Sequence, residues 1–190
     1  MSELVFFLEE SSAEALLSTL LPRLVPAVRY RCVVFEGKQD LEKQIVRRMR
    51  GYLVPGARFV VLRDQDASDC KTVKATLKQK CQEACHPEAV IRIACHELES
   101  WYLADLSAVE KGLGKSGLQQ LQNKRSYRSP DGTVSPSNML KRIASGYQKI
   151  GGSRAIGPHL DLDNNRSRSF AHFIATIRQL AGELQASQQE

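Results

Sequence analysis

Arg58-Phe59-Val60-Val61-Leu62 runs directly into Arg63-Asp64-Gln65-Asp66, and this stretch decides the fold. Its apolar run is too short for a helix and reads as a strand covered on both faces, with two acids just past its end. The same arrangement occurs upstream, where Leu4-Val5-Phe6-Phe7-Leu8 is followed by Glu9-Glu10. It recurs in Arg31-Cys32-Val33-Val34-Phe35, which ends at Gly37, and in Ala89-Val90-Ile91-Arg92-Ile93-Ala94, which is followed by Glu97 and Glu99. Between the strands lie helical spacings: Leu16, Leu17, Leu20, Leu21 and Leu24; Leu41, Ile45, Met49 and Tyr52; Val73, Leu77 and Cys81. Ser11 and Glu14 predict a capping box at the first of these helices. Strands alternating with helices predict an α/β fold, a doubly wound, mainly parallel sheet with helices on both faces.

Further along the chain the pattern changes. A short helix through Trp101 and Leu103 closes a core of residues 1–110. Residues 111–165 scatter Gly, Ser, Asn and Pro among cations, with a helical fragment from Asn138 to Tyr147, and read as a basic insertion or lid. From 166 to 190, Phe170, Phe173, Ile174, Ile177, Leu180, Ala181 and Leu184 share one face of a closing helix that packs on the core, with Ser167 and Ser169 at its start. A chain of 190 residues with 42% hydrophobic and 25% charged residues forms one compact domain, which excludes disordered and collagen-like classes. No apolar run is long enough to span a membrane, and residues 1–20 lack an export signal. With five cysteines, an odd number, the expectation is free thiols in a cytoplasmic protein.

Charge is unevenly placed. Nine Lys and Arg against one acid, Asp131, lie between residues 111 and 154, so this stretch carries +8 while the whole chain carries only +6. Such a concentration suits a phosphate backbone, and Lys124, Arg125, Arg128, Lys141 and Arg142 are the candidate contacts to DNA or RNA.

In open parallel sheets ligands bind beyond the carboxyl ends of the strands. Three strand ends deliver acids there: Glu9 and Glu10, Asp64 and Asp66, Glu97 and Glu99. A single acid in such a place is an ordinary turn residue or helix cap, as Asp66 or Asp69 would be before the third helix. Three converging clusters repel one another unless a cation sits among them, and carboxylate oxygens are the ligands Mg²⁺ or Mn²⁺ prefers. Neither a Gly-rich dinucleotide fingerprint nor a GxxxxGK[ST] loop is present. Cys81, Cys85, His86, Cys95 and His96 fit no common zinc-finger spacing.

The acid placement resembles the TOPRIM domain of topoisomerases, primases and OLD-type nucleases, with Glu after the first strand and Asp-x-Asp after the third. A closer resemblance is to the TOPRIM-like DUF4276 family, related to RloB-like proteins. It is carried by EESSAEALL at 9–17, GKQDL at 37–41, VLRDQDASDC at 61–70, IACHELESWYLAD at 93–105 and SRSFAHF at 167–173. The resemblance implies that Glu9, Asp64 and Asp66 are catalytic and, with Glu97 or Glu99, hold metal. Glu10 stands where many TOPRIM domains have Gly. Glu10, Lys38 and His96 are auxiliary candidates, whereas Trp101 reads as a core anchor. The implied activity is Mg²⁺- or Mn²⁺-dependent cleavage of phosphodiester bonds in DNA or RNA. An ABC- or AAA-type ATPase partner in anti-phage defence is implied as well. The alternative is a non-catalytic nucleic-acid-binding or regulatory subunit of an ATPase complex.

Overall fold

The structure, a computed structural model, describes residues 2–187; Met1 and residues 188–190, the outer ends of the first and last segments above, lie outside the described residues. The elements run β1 (Leu4–Leu8), α1 (Ser11–Leu24), β2 (Tyr30–Val34), α2 (Lys38–Arg50), β3 (Arg58–Asp64), α3 (Cys70–Glu83) and β4 (Val90–Ala94). They continue through α4 (Glu99–Leu103), α5 (Leu106–Leu113), α6 (Pro136–Ile143), α7 (Lys149–Ile156) and α8 (Arg168–Ala186), with short 3₁₀ turns between α5 and α6 and after α7.

All strand pairs are parallel and the order is β2-β1-β3-β4. The apolar run of β1 is fully buried because helices cover both faces of the sheet. Alternation sends Leu4, Phe6, Leu8, Val60 and Leu62 into one cluster with Leu16, Leu20, Trp101 and Phe173. Val5, Phe7, Phe59 and Val61 go into the other, with Leu41, Ile45, Val73 and Leu77. From β1 the chain reaches β2 through α1 on one face; from β2 it crosses to β3 through α2 on the opposite face. The direction of winding therefore reverses between β1 and β3, which are neighbours with Leu8 opposite Leu62. That reversal is where a doubly wound sheet opens a crevice.

Residues 111–165 share the first cluster with β1 and α8 through Leu118, Leu140, Tyr147, Ile156 and Leu160. The Arg23 guanidinium in α1 donates to the carbonyls of Gly157 and Leu160, both at 3.0 Å, and ties this segment down. The closing helix buries Phe170, Phe173, Ile174, Ile177 and Leu184, each contributing about 1.5–3 kcal/mol relative to exposure. No helix is long and apolar enough to cross a membrane among the described residues.

Local corrections have physical causes. The Ser11–Glu14 capping box does not form; Glu10 is the N-cap of α1, and its carboxylate accepts from Ser12 Oγ and Lys149 instead. The fragment expected from Asn138 to Tyr147 runs instead from Pro136 to Ile143: Ala144 leaves the helical region at φ −128°, and Gly146, at φ 85°, then turns the chain. Ser167 caps α8 by accepting from Phe170 N–H at 3.1 Å. Ser169 does not cap; its Oγ accepts from Trp101 Nε1 at 2.8 Å.

Candidate active site

At the carboxyl ends of β1 and β3 the alternation of the strands continues into the acids. Glu9 follows Phe7 toward the α2 side, while Asp64 follows Leu62 toward the side of α4 and α7. The two remain linked, since Asp64 N–H donates to Glu9 Oε2 at 3.3 Å.

On the α2 side the acids are paired with cations, one pair largely buried and one exposed. Arg63, which is 5% exposed, places Nε 3.6 Å from Glu9 Oε2, and its other arm meets Glu42. Lys38 Nζ reaches Asp66 Oδ2 at 2.8 Å in an exposed pair. Asp66 has φ 55° and His96 φ 57°, and the Asp66 N–H donates to the His96 carbonyl at 2.7 Å, so the turns after β3 and β4 lock each other in an uncommon conformation. Backbone strain of this kind gathers at functional sites. Burial raises the pKa of Glu9, with the Asp66 charge adding to it and Arg63 opposing.

On the other side three carboxylates face one ammonium. Glu99, at the start of α4, is 1% exposed; its Oε1 accepts from the Tyr147 hydroxyl at 3.1 Å and its Oε2 is buried without a partner. Burial pushes Asp64 well above the usual carboxylate range, and the charges of Glu99, Glu9 and Glu10 push it further. Glu99 is raised chiefly by burial too, against the pull of Lys149. Lys149, the first residue of α7, lies 3.3 Å from Glu10 Oε1. Burial works against its ammonium, but the carboxylates of Glu99, Glu10 and Asp64 outweigh burial and raise its pKa. Tyr147 is aimed at Glu99 because Gly152 leaves room for its ring; a Cβ at Gly152 would fall 2.1 Å from it.

Glu97 points elsewhere. Its Oε2 accepts from Ser137 N–H at 2.7 Å, which caps α6, so of the two acids before Trp101 it is Glu99 that neighbours Asp64. Trp101 is fully buried against Phe170 and Phe173. Cys81 is buried on the inner face of α3, and all five cysteines are free thiols. Lys124, Arg125, Arg128, Lys141 and Arg142 are all exposed, and Arg125 and Arg142 line one cavity of about 520 Å³ rimmed with hydroxyls. Lys149 and Arg63 were not singled out as site residues by sequence reasoning. The composition of residues 111–154 signalled that cations were there, but nothing marked which of them turns inward.

Oxygen donors, surplus negative charge and the orphaned Glu99 Oε2 suit a hard divalent cation. Among the described residues no three His, Cys, Asp or Glu side chains close around one point. Mg²⁺ is commonly held by one or two carboxylates, with water and substrate phosphate completing its shell. Asp64 with Glu99 or Glu10 would provide that pair.

Fold and site together define an α/β protein with an all-parallel four-stranded sheet and a carboxylate cluster at its switch point. A family model described as a domain of unknown function, DUF4276, matches residues 8–178, and the chain belongs to that family. No curated protein and no solved structure matches the chain.

Proposed function

We propose that this chain is a Mg²⁺- or Mn²⁺-dependent TOPRIM-type nuclease that hydrolyses phosphodiester bonds in DNA or RNA. The observation that carries the reading is that Asp64, Glu99 and Glu10 lie within electrostatic reach of one another and of the Lys149 ammonium at the crevice, with Glu99 Oε2 buried and unpartnered. A divalent cation bound there would activate water near neutral pH and neutralise charge in an in-line displacement. Glu9, its pKa raised by burial, is placed to exchange a proton with the attacking or leaving oxygen. Lys149 supplies fixed positive charge toward a phosphate, and Tyr147 holds Glu99 in place. Asp66 and Lys38 border the crevice on its solvent side, and the exposed cations of residues 124–142 extend the path for the strand. By family resemblance the enzyme works beside an ABC- or AAA-type ATPase in anti-phage defence, within the cytoplasm.

A second reading, a non-catalytic nucleic-acid-binding or regulatory subunit, draws on Lys149, because an ammonium among carboxylates also serves as a structural tie. The two separate in one experiment. Plasmid DNA and total tRNA are incubated with the purified chain and Mg²⁺ or Mn²⁺, beside Asp64→Asn and an EDTA control. Metal-dependent cutting that Asp64→Asn abolishes is the expected result. Cutting that survives Asp64→Asn or EDTA contradicts the nuclease assignment.

A further inference from the structure

β4 is an edge strand, and among the described residues no strand pairs with its outer side. Along a strand, successive residues turn their backbone groups to opposite sides. Ala94 faces β3, since its carbonyl accepts from Gln65 N–H at 3.0 Å, and so do Arg92 and Val90. Ile91 and Ile93 therefore present N–H and C=O outward. The Ile91 carbonyl accepts only from the guanidinium of Arg92, at 3.2 Å, and the amides of Ile91 and Ile93 and the Ile93 carbonyl have no hydrogen-bond partner among the described residues; Ile91 itself is 3% exposed and Ile93 is half-buried.

Two cavities lie along this edge, one of about 520 Å³ between α3 and α8 and one of about 490 Å³ between α3 and β4, and both are lined by Lys74, Ile91 and Arg92. Their rim is cationic. Lys71 and Lys74 on α3 are exposed and make no hydrogen bond, and Arg168 and His172 stand across from them on α8. The carboxylates at the rim are already engaged: Glu88 with His86, and Asp131 with Ser167, Ser169 and the first amides of α8.

We infer that this trough is a docking site for an extended acidic peptide segment of a partner protein, which adds a strand to β4. Unpaired edge amides offer the ladder that strand addition uses, the half-buried Ile93 adds aliphatic surface beside them, and the cations select acidic side chains. A second copy of this chain fits poorly, because a twofold contact through β4 would set Lys71 and Lys74 against their own equivalents. Single-stranded nucleic acid fits less well than peptide, because no Phe, Tyr or Trp lines either cavity to stack a base. The same charges repel a basic strand and would lose hydration against a neutral one, which keeps the edge from aggregating. This inference stands apart from the nuclease reading and survives or fails without it.

The test uses the full chain labelled with ¹⁵N and three fluorescent probes: a short peptide alternating glutamate with valine, its lysine counterpart, and oligo-dT. Anisotropy is expected to show the glutamate peptide bound at least about tenfold more tightly than the lysine peptide. It should also protect the amides of Ile91 and Ile93 from exchange. The double variant Lys71→Glu/Lys74→Glu, on an exposed helix face, should keep its circular dichroism melt and lose about tenfold or more in affinity for that peptide. Failure of the glutamate peptide to bind, equal binding of both peptides, unchanged affinity in the double variant, or protection of Ile91 and Ile93 by oligo-dT alone would overturn the inference.

Discussion

The two sides of the sheet edge handle negative charge differently. On the α2 side Glu9, Glu42 and Asp66 meet Arg63 and Lys38, and one of these pairs is open to solvent. Beneath α4 and α7, among the described residues, Glu10, Asp64 and Glu99 have only Lys149, and one oxygen of Glu99 has no partner. The first arrangement sets its acids against two cations, with Arg63 and Glu9 largely buried and Arg63 Nε left without a hydrogen bond. The second holds carboxyls at pKa values that cost stability at neutral pH, and a fold keeps such a cluster where it serves chemistry.

The sharpest way to break this contrast is to neutralise the acids beneath α4 and α7 one at a time. Asp64→Asn and Glu99→Gln are expected to lower cleavage by about a thousandfold, the scale of losing one transition-state electrostatic partner. Asp64→Asn should at the same time raise the melting temperature of the metal-free chain by about 2–4 °C. The sign follows from linkage. Glu9, Asp64 and Glu99 have folded pKa values above their unfolded ones, so the folded chain binds more protons and stability falls as pH rises through the folded values. Asp64→Asn should flatten that slope, as thermal melts over a pH series would show. An unchanged slope would remove Asp64 from the strained cluster.

Smaller effects sharpen the comparison. Replacing Lys124, Arg125, Arg128, Lys141 and Arg142 by Ala should weaken nucleic-acid binding and lower the salt slope by up to about one unit for each phosphate left without its cation. Lys149→Met removes the cation that faces the carboxylates of Glu10, Asp64 and Glu99 and should destabilise the metal-free chain by about 1 kcal/mol, since the pair is part exposed. Added Mg²⁺ should recover most of that loss, because it answers the same charge. Glu97→Gln should cost roughly 1 kcal/mol through the α6 cap and leave cleavage nearly unchanged, in contrast to Glu99→Gln.

Which parts of this were legible in sequence follows from range. Unbroken apolar runs such as Leu4–Leu8 mark buried parallel strands by themselves, and the acids after them inherit their position from the strand. Cys81 was readable as core from its spacing with Val73 and Leu77, and Trp101 from its residue type. Lys149 was not, because it meets Glu10 across 139 residues, and α7 holds Gly151 and Gly152, which blur any helical periodicity. Tyr147 was read as the end of a helix, whereas it lies beyond one, turned inward by Gly146 to reach Glu99. Arg63 sits inside an apolar strand, where a cation reads as a break in the pattern until Glu9 and Glu42 show what it balances. The choice between Glu97 and Glu99 needed the position of α6, whose amide claims Glu97.

The most direct test of the site is a titration of the metal-free chain with Mn²⁺ near neutral pH, followed by electron paramagnetic resonance and by calorimetry in buffers of different ionisation enthalpy. The native chain is expected to bind Mn²⁺ with release of protons from the raised carboxyls, and Asp64→Asn to bind at least about tenfold more weakly. No binding by the native chain, or equal binding by Asp64→Asn, would contradict the account of the carboxylate cluster as a metal site.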